Sequence, residues 1–512
     1  MNGAESLVHT LLKSGIDTCF ANPGTSEMHF VSALDRIPGM RCVLALAEGV
    51  VTGAADGYAR MADKPAATLL HCGPGLANGL ANLHNARRAN SAIVNIVGDQ
   101  ATHHRPLDAP LTADTEGWAR PVSAWTRTAT DAATIGRDAA VAVQAARTAP
   151  GQIATLIAPS DTCWNPGGIV AEPLAPPAPG RVDESAVAAI ARVLRAGEPA
   201  VLFVGNAALR EAPLAAAGRI AHKTGARVFA PTSNRRVERG AGRYPVTRLP
   251  YAVEPAVAAL KGTKHLILVG AKAPVAFFAY PDKPSVMYPS DCQIHVLARE
   301  EQDPLDALSR LAEALGATED APVAQRVATE PARGAVTSEA VAQTVSALLP
   351  EHAVIVDEGV SFGRAFFPGT TNTVPHDWLQ ISGGAIGNGL PLATGAAIGA
   401  PGRRIVSLQA DGSAMYTLQA LWTQAREGLD VTTVILANRK YAILLGELQG
   451  VGAAAGQTAL DMLDLTRPTL DWVKMANGMG VEAAQADTME KFADLFATAN
   501  RRKGPFLIEL VI

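Results

Sequence analysis

Asp411 and Asn438 stand twenty-seven positions apart, each at the end of a short apolar run. RIVSLQ leads into Ala410-Asp411-Gly412-Ser413, a helical stretch follows, and VTTVIL leads into Ala437-Asn438-Arg439-Lys440. In a parallel sheet, a strand–helix–strand unit returns the chain to the same edge. A carboxylate and an amide oxygen then meet beside a helix N-terminus. Mg²⁺ takes oxygen ligands and usually shares them with phosphates, and a helix N-terminus attracts phosphate. The unit reads as a metal–diphosphate site. The alternative is an ordinary βαβ turn in which Asp and Asn are turn formers.

Two further residues could move protons. Glu48 closes the run CVLALA and opens a helical stretch. As a helix N-terminal Glu it is favoured by the macrodipole. His71 follows the run ATLL and precedes Cys72-Gly73-Pro74-Gly75. A histidine there can shuttle a proton near neutral pH, or it can be a satisfied core residue. Asn22, Pro23, Gly24 and Thr25 form a turn ahead of a helix, where Thr or Ser would serve as N-cap.

These residues need sheet edges to hold them. A chain of 512 residues is long enough for three domains. A proline-dense stretch, Asn165 to Arg181, and a polar one, Ala317 to Gly334, divide it into 1–165, 182–318 and 335–512. Each third alternates short apolar runs with Ala/Leu-rich helical stretches. The runs are ATLL, AIVNIV and IATLIA in the first third, and AVLFVG, ARVFAP, HLILVG and QIHVLA in the second. The last third has AVIVDEG, RIVSLQ, VTTVIL and FLIELVI. That alternation predicts an α/β fold of three domains, each a doubly wound, largely parallel sheet with helices on both faces. Ligands bind such sheets at the carboxyl ends of the strands, which is where the motif residues fall.

Four segments of the first third occur in a telling order: FANPGTSE (Phe20–Glu27), LALAEGVVTGAADGYAR (Leu44–Arg60), LLHCGPGLANGLAN (Leu69–Asn82) and AIVNIVGDQ (Ala92–Gln100). With the Asp411–Asn438 unit, they resemble the thiamine diphosphate (ThDP) enzymes of the benzoylformate decarboxylase and acetolactate synthase family. In place of that family's G-D-G and N-N stand Ala410-Asp411-Gly412 and Ala437-Asn438. The resemblance spans the chain, and His71 brings it nearest to the benzoylformate decarboxylase branch. It implies ThDP and Mg²⁺ as cofactors, with Asp411, Asn438 and the Lys440 carbonyl on the metal. It implies that Glu48 bonds N1′ of the cofactor's pyrimidine and that His71 is the acid–base. Cofactor contacts would come from Asn22, Pro23, Gly24, Thr25, Asn78, Val360, Ser361, Gly384, Ile386, Asp411, Gly412, Ser413, Asn438, Tyr441, Ala442 and Ile443. Gly383 and Gly384 would allow close backbone approach, and Ile386 would wedge the bent cofactor. The substrate pocket would draw on Thr25, His71, Leu111, Phe278, Leu444 and Glu447.

Departures from the family bear on the substrate. APVAFFAYPDKPS places Phe277 and Phe278 where the decarboxylase branch has a second histidine. Pro110-Leu111 replaces the Phe-Gln pair of acetolactate synthases. The middle third lacks the sequence associated with their FAD site, so FAD is not expected. Glu447 stands at an apolar pocket position, facing either a polar substrate or solvent. His103-His104 matches the paired histidines of pyruvate decarboxylases only loosely.

The expected activity is cleavage next to a 2-oxo carbonyl with release of CO2. An acetolactate-synthase-type carboligase and a catalytically silent binding protein of the same fold are the alternatives. No G-x-G-x-x-G follows a strand with an acidic residue beyond it, which argues against an NAD-binding protein. The family pairs the pyrimidine site of one subunit with the diphosphate site of another, so a homodimer is the expected minimum and a tetramer the expected assembly.

Composition narrows the partners. A net charge of -4 and a pI near 6.3 give no electrostatic case for nucleic acid. Five scattered cysteines without a C-x-x-C pair argue for reduced thiols, against a zinc site, and for a cytoplasmic location. MNGAESLVHTLLKSG reads as an amphipathic helix, not a signal peptide. No apolar run reaches membrane-spanning length. The expected partner is a small 2-oxo acid.

Overall fold

The computed structural model describes residues 1–512. Strands β1 (Thr18–Asn22), β2 (Arg41–Leu44), β3 (Ala66–Leu70), β4 (Ile93–Asp99), β5 (Trp125–Thr128) and β6 (Ile153–Pro159) form the first sheet. It is parallel throughout, in the order β2-β1-β3-β4-β6-β5. β3, β4 and β6 are buried along their whole length, as expected when helices cover both faces.

The middle third adds β7 (Ala200–Val204), β8 (Arg227–Ala230), β9 (Val237–Arg239), β10 (Thr247–Arg248), β11 (His265–Val269) and β12 (Gln293–Ala298). Five of them make a parallel sheet, ordered β10-β8-β7-β11-β12. The last third contributes β13 (Val354–Glu358), β14 (His376–Gln380), β15 (Ile405–Ala410), β16 (Val431–Ala437), β17 (Glu482–Ala486) and β18 (Phe506–Val511). Their sheet runs β17-β18-β16-β15-β13-β14-β9.

The α/β architecture is therefore the expected one, with three sheets flanked by helices. One strand departs from the expected division. β9 lies in the middle third yet pairs antiparallel with β14 at the edge of the third sheet. Arg236 Nε donates to Asp377 Oδ1 at 2.6 Å, and Arg239 bonds Thr370 and Thr371 at 2.6 and 2.9 Å. The helix expected after Asp411 is also broken. It runs as Asp411–Ala414, a 3-10 turn at Met415–Thr417, and Ala420–Arg426.

Helices Glu48–Ala62 and Gly389–Gly399 pack the first sheet's layer against the third's. A Cβ on Gly395 would stand 1.7 Å from the Ala54 carbonyl oxygen, so only glycine permits that approach. Nearby, Asn82 Nδ2 donates to the Gly49 carbonyl at 2.8 Å, and Asn85 Nδ2 to the Ala385 carbonyl at 2.7 Å.

Candidate functional site

The parallel order of the first sheet puts the ends of β1, β2 and β3 on one edge. Asn22 closes β1, and its Nδ2 donates to the Ala45 carbonyl at 2.9 Å, tying the ends of β1 and β2 together. Glu48 is the first residue of its helix and is half-buried. Its Oε2 accepts from Asn78 Nδ2 at 3.1 Å. Glu48 has no side-chain cation partner, so a carboxylate is presented to the edge with one amide to orient it. Thr25 is exposed at the same edge, after Pro23 and Gly24.

His71 caps β3 and is held by a residue that the sequence reading left without a role. Its Nδ1 lies 2.9 Å from Glu27 Oε2. Glu27 is buried at 2% exposure, and its other oxygen accepts from Ser26 Oγ at 2.6 Å. The Gly24 N–H donates to Glu27 Oε2 at 2.7 Å. Two close approaches make room: a Cβ on Gly98 would fall 1.6 Å from Glu27 Oε1, and one on Gly24 2.4 Å from the His71 ring. A carboxylate at Nδ1 fixes ring orientation and tautomer, and leaves Nε2 without a protein partner. Glu27 lies within the FANPGTSE segment. A carboxylate three residues past a tight turn was the available signal, but its pairing spans 44 residues.

Cys72 follows in a left-handed conformation, φ 53°, unusual for a residue with a side chain. Burial pushes its thiol up to about 11, and its Sγ lies 3.0 Å from Ser26 Oγ. Left-handed backbone recurs at Leu111 (φ 72°), Val360 (φ 48°) and Arg439 (φ 57°). Strain of this kind persists where the surrounding structure over-determines it, commonly at functional sites.

The edge of the third sheet carries the second group of residues. Asp411 and Asn438 follow the paired strands β15 and β16. Asp411 Oδ1 accepts from the Gly412 N–H at 2.8 Å, and Oδ2 from the Arg439 N–H at 2.6 Å. Asn438 Oδ1 accepts from the Lys440 N–H at 3.0 Å. Asp411 is 2% exposed and forms no ion pair; burial pushes its carboxyl up. A buried carboxylate without a countercharge beside an amide oxygen fits a hard divalent cation. Ser413 is buried, and Tyr441 packs its ring over Gly412. Ala442 and Ile443 open the helix Ala442–Gly450.

Val360 and Ser361 follow the end of β13, and the loop that holds Gly384 and Ile386 leads into the helix Gly389–Gly399. That loop hangs on Glu358. Its two oxygens accept from Gly387 N at 2.7 Å and Gly389 N at 2.5 Å. Burial pushes the Glu358 carboxyl up to about 7, against the pull of the Gly389, Gly387 and Asn388 N–H groups. A carboxyl raised on folding keeps its proton in the native state while the unfolded chain has lost it. Stability is then fullest below about 4.5 and declines as pH rises to about 7. Urea denaturation across that range is expected to show a loss of about 1–3 kcal/mol that Glu358→Gln removes.

The residues expected on the substrate side are spread over both groups. Leu111 is exposed on the segment that packs against Gly73 through Ala113. Phe277, not Phe278, touches the Gly384 loop: a Cβ on Gly384 would meet its Cζ at 2.5 Å. Phe278 is exposed and stacks edge-on against Phe277. Leu444 is exposed on the helix Ala442–Gly450. Glu447 is half-buried and accepts from Tyr280 at 2.8 Å and Tyr251 at 3.3 Å. His103 lies against Trp164, and neither it nor His104 bonds Glu48 or His71. No hydrogen bond or ion pair links the Glu48–His71 group to the Asp411–Asn438 group within the chain.

A cleft of about 620 Å³ opens elsewhere, between the first and second sheets. Arg87, Arg88 and Arg120 of the first third and Arg235 and Lys272 of the second line it, and Asn206 and Gly270 bring in the ends of β7 and β11. Asn234, 3% exposed, leaves its Oδ1 without a partner there.

Comparison with known proteins gives consistent matches. The profile described as thiamine pyrophosphate enzyme, N-terminal TPP binding domain, matches residues 1–118, and its C-terminal counterpart matches residues 367–510. A Mycobacterium tuberculosis protein named "Putative acetolactate synthase large subunit IlvX" is 52% identical over 100% of this chain and 99% of its own. Benzoylformate decarboxylase of Pseudomonas aeruginosa is 29% identical over 98% and 97%. The structure of the thiamine diphosphate-dependent 4-hydroxybenzoylformate decarboxylase of Rhodococcus jostii RHA1 superposes with a TM-score of 0.85. It covers 99% of this chain and 98% of that one at 24% identity, a likeness of fold.

Proposed function

The chain belongs to the thiamine pyrophosphate enzyme family, and on that premise we propose that it is a Mg²⁺-requiring decarboxylase of a 2-oxo acid, like benzoylformate decarboxylase. The observation that carries this reading is the histidine aimed by a buried carboxylate, His71 on Glu27, on the same sheet edge as Glu48. Bound thiamine diphosphate supplies a carbon nucleophile for the 2-oxo group and a sink for the electrons left when CO2 departs. Glu48 holds or receives a proton at the pyrimidine N1′, with Asn78 fixing its second oxygen. His71 moves a proton at Nε2, to or from the oxygen and carbon of the former 2-oxo group. Thr25 and Leu111 would border that position.

Asp411, Asn438 and the Lys440 carbonyl would hold Mg²⁺ against the diphosphate. The Val360–Ser361 turn and the loop with Gly384 and Ile386 would receive the rest of the cofactor. Asp411→Ala is expected to weaken ThDP and Mg²⁺ binding together, since the ion bridges protein and phosphate. Titration calorimetry with ThDP, with and without Mg²⁺, checks this; equal affinity in parent and variant would remove the metal site. The lack of bonding between the two groups within one chain supports completion of each site by a second copy. Leu46, Leu107, Leu111, Tyr416 and Met462, all exposed, favour such pairing.

A screen of 2-oxo acids with added ThDP and Mg²⁺, detecting CO2, tests the reading. Cofactor-dependent CO2 release supports it, and its absence across aliphatic and aromatic acids opposes it. One observation favours the acetolactate-synthase-type alternative. Five cations around a cleft at the β7–β11 edge, where the strand order reverses, suit an anionic dinucleotide such as FAD. A yellow purified protein would support that alternative; a colourless one would support the decarboxylase.

A further inference from the structure

Three unlike donors converge beneath the active edge. Glu27, His71 and Cys72 each offer one ligand atom, and the three atoms lie within 4.8 Å of one another. Glu27 and Cys72 are buried, and His71 gives access from the site. The sequence carries no C-x-x-C spacing here; the fold assembles the set from two strand ends. We propose that Glu27, His71 and Cys72 form a binding site for a zinc-class divalent cation that takes the catalytic histidine out of action.

The chemistry fits that class of ion. One imidazole, one carboxylate and one thiolate, with a fourth position open, is a donor set that zinc accepts. Ligands at about 2.0 Å on a tetrahedral centre lie about 3.3 Å apart. His71 Nδ1 and Glu27 Oε2 now stand at 2.9 Å, so admitting the ion needs only a few tenths of an ångström of separation. Ser26 Oγ marks the point that all three face, at 2.6 Å from Glu27 Oε1, 3.0 Å from Cys72 Sγ and 3.3 Å from His71 Nδ1. Rotation of that hydroxyl opens the position. On binding, the thiol releases its proton to solvent, the ring proton passes from Nδ1 to Nε2 by exchange with water, and the Glu27–His71 hydrogen bond is replaced by metal bonds. His71 is then pinned at Nδ1 with its proton fixed on Nε2, so Nε2 can no longer accept a proton.

The inhibitory part rests on the proposed role of His71; metal binding does not. Co²⁺ titrated into protein saturated with ThDP and Mg²⁺ is expected to give a thiolate-to-cobalt absorption that saturates at one equivalent and is displaced by Zn²⁺. Cys72→Ser should lack that absorption while keeping the parent's circular dichroism. The Zn²⁺ concentration that halves turnover should rise at least about tenfold in the variant, since a bonded ligand is lost. No absorption in the parent, the same absorption in the variant, or equal zinc sensitivity of the two would each overturn the proposal. Zinc replacing Mg²⁺ at Asp411 would give no thiolate absorption. Inactivity toward every 2-oxo acid would sink the decarboxylase reading and leave the cobalt result standing.

Discussion

Glu48→Gln is expected to lower kcat by about 10²–10⁴-fold with the fold intact, the range for losing a general acid–base group. The amide matches the carboxylate in size and can still accept from Asn78 Nδ2, which now bonds Oε2 at 3.1 Å. The helix start therefore keeps its contact and loses only the charge that N1′ requires. Glu48 pairs with no cation, so no ion pair is broken and the melting temperature should hold. Steady-state turnover on the acid found by the screen, with a thermal melt alongside, makes the measurement. A variant retaining more than half the parent rate would remove Glu48 from the chemistry.

His71→Asn is expected to cost about 10²-fold in kcat and to erase the limb that a histidine contributes to kcat against pH near neutrality. ThDP affinity should not change, because the role proposed for the ring is at the reacting carbon and not at the diphosphate. Phe277 and Phe278 occupy the segment where a second histidine would compensate, which sharpens the loss. Glu27→Gln separates positioning from proton transfer. The amide keeps the bulk beside Gly98 and loses the charge at His71 Nδ1. That variant should displace the pH limb without erasing it, and lower kcat less than His71→Asn does. Superimposable profiles for parent and His71→Asn would exclude His71 from the mechanism.

The parts of the site that lie close in sequence to a strand end were legible. Glu48, His71, Asp411 and Asn438 each sit within four residues of an apolar run, and parallel topology carries each pair to one edge of its own sheet. Glu27 was not assigned a role, because its effect depends on a ring 44 positions away and on the gap left by Gly98. Glu447 stayed ambiguous for the same reason: Tyr251 and Tyr280, which hold it, come from the middle third. Most buried strands announced themselves as apolar runs. β14, which reads HDWLQ, did not, because Asp377 and His376 are buried with polar partners and mask the pattern. β9 has only three residues and no periodicity to detect.

β9 also ties the fate of two layers together. An open sheet edge offers unpaired N–H and C=O groups to any passing strand. Here β14 is sealed by a segment whose flanking chain belongs to β8 and β10 of the second sheet. The seal is fastened by Arg236 on Asp377 and by Arg239 on Thr370 and Thr371. Local opening of the middle layer therefore frays the cofactor-binding layer at the strand beside β13, which carries Glu358 and the Val360 turn. The middle third cannot be traded between relatives as a cassette unless β9 travels with the sheet it closes, and a chain cut after β6 and resumed at β13 would expose a sticky edge.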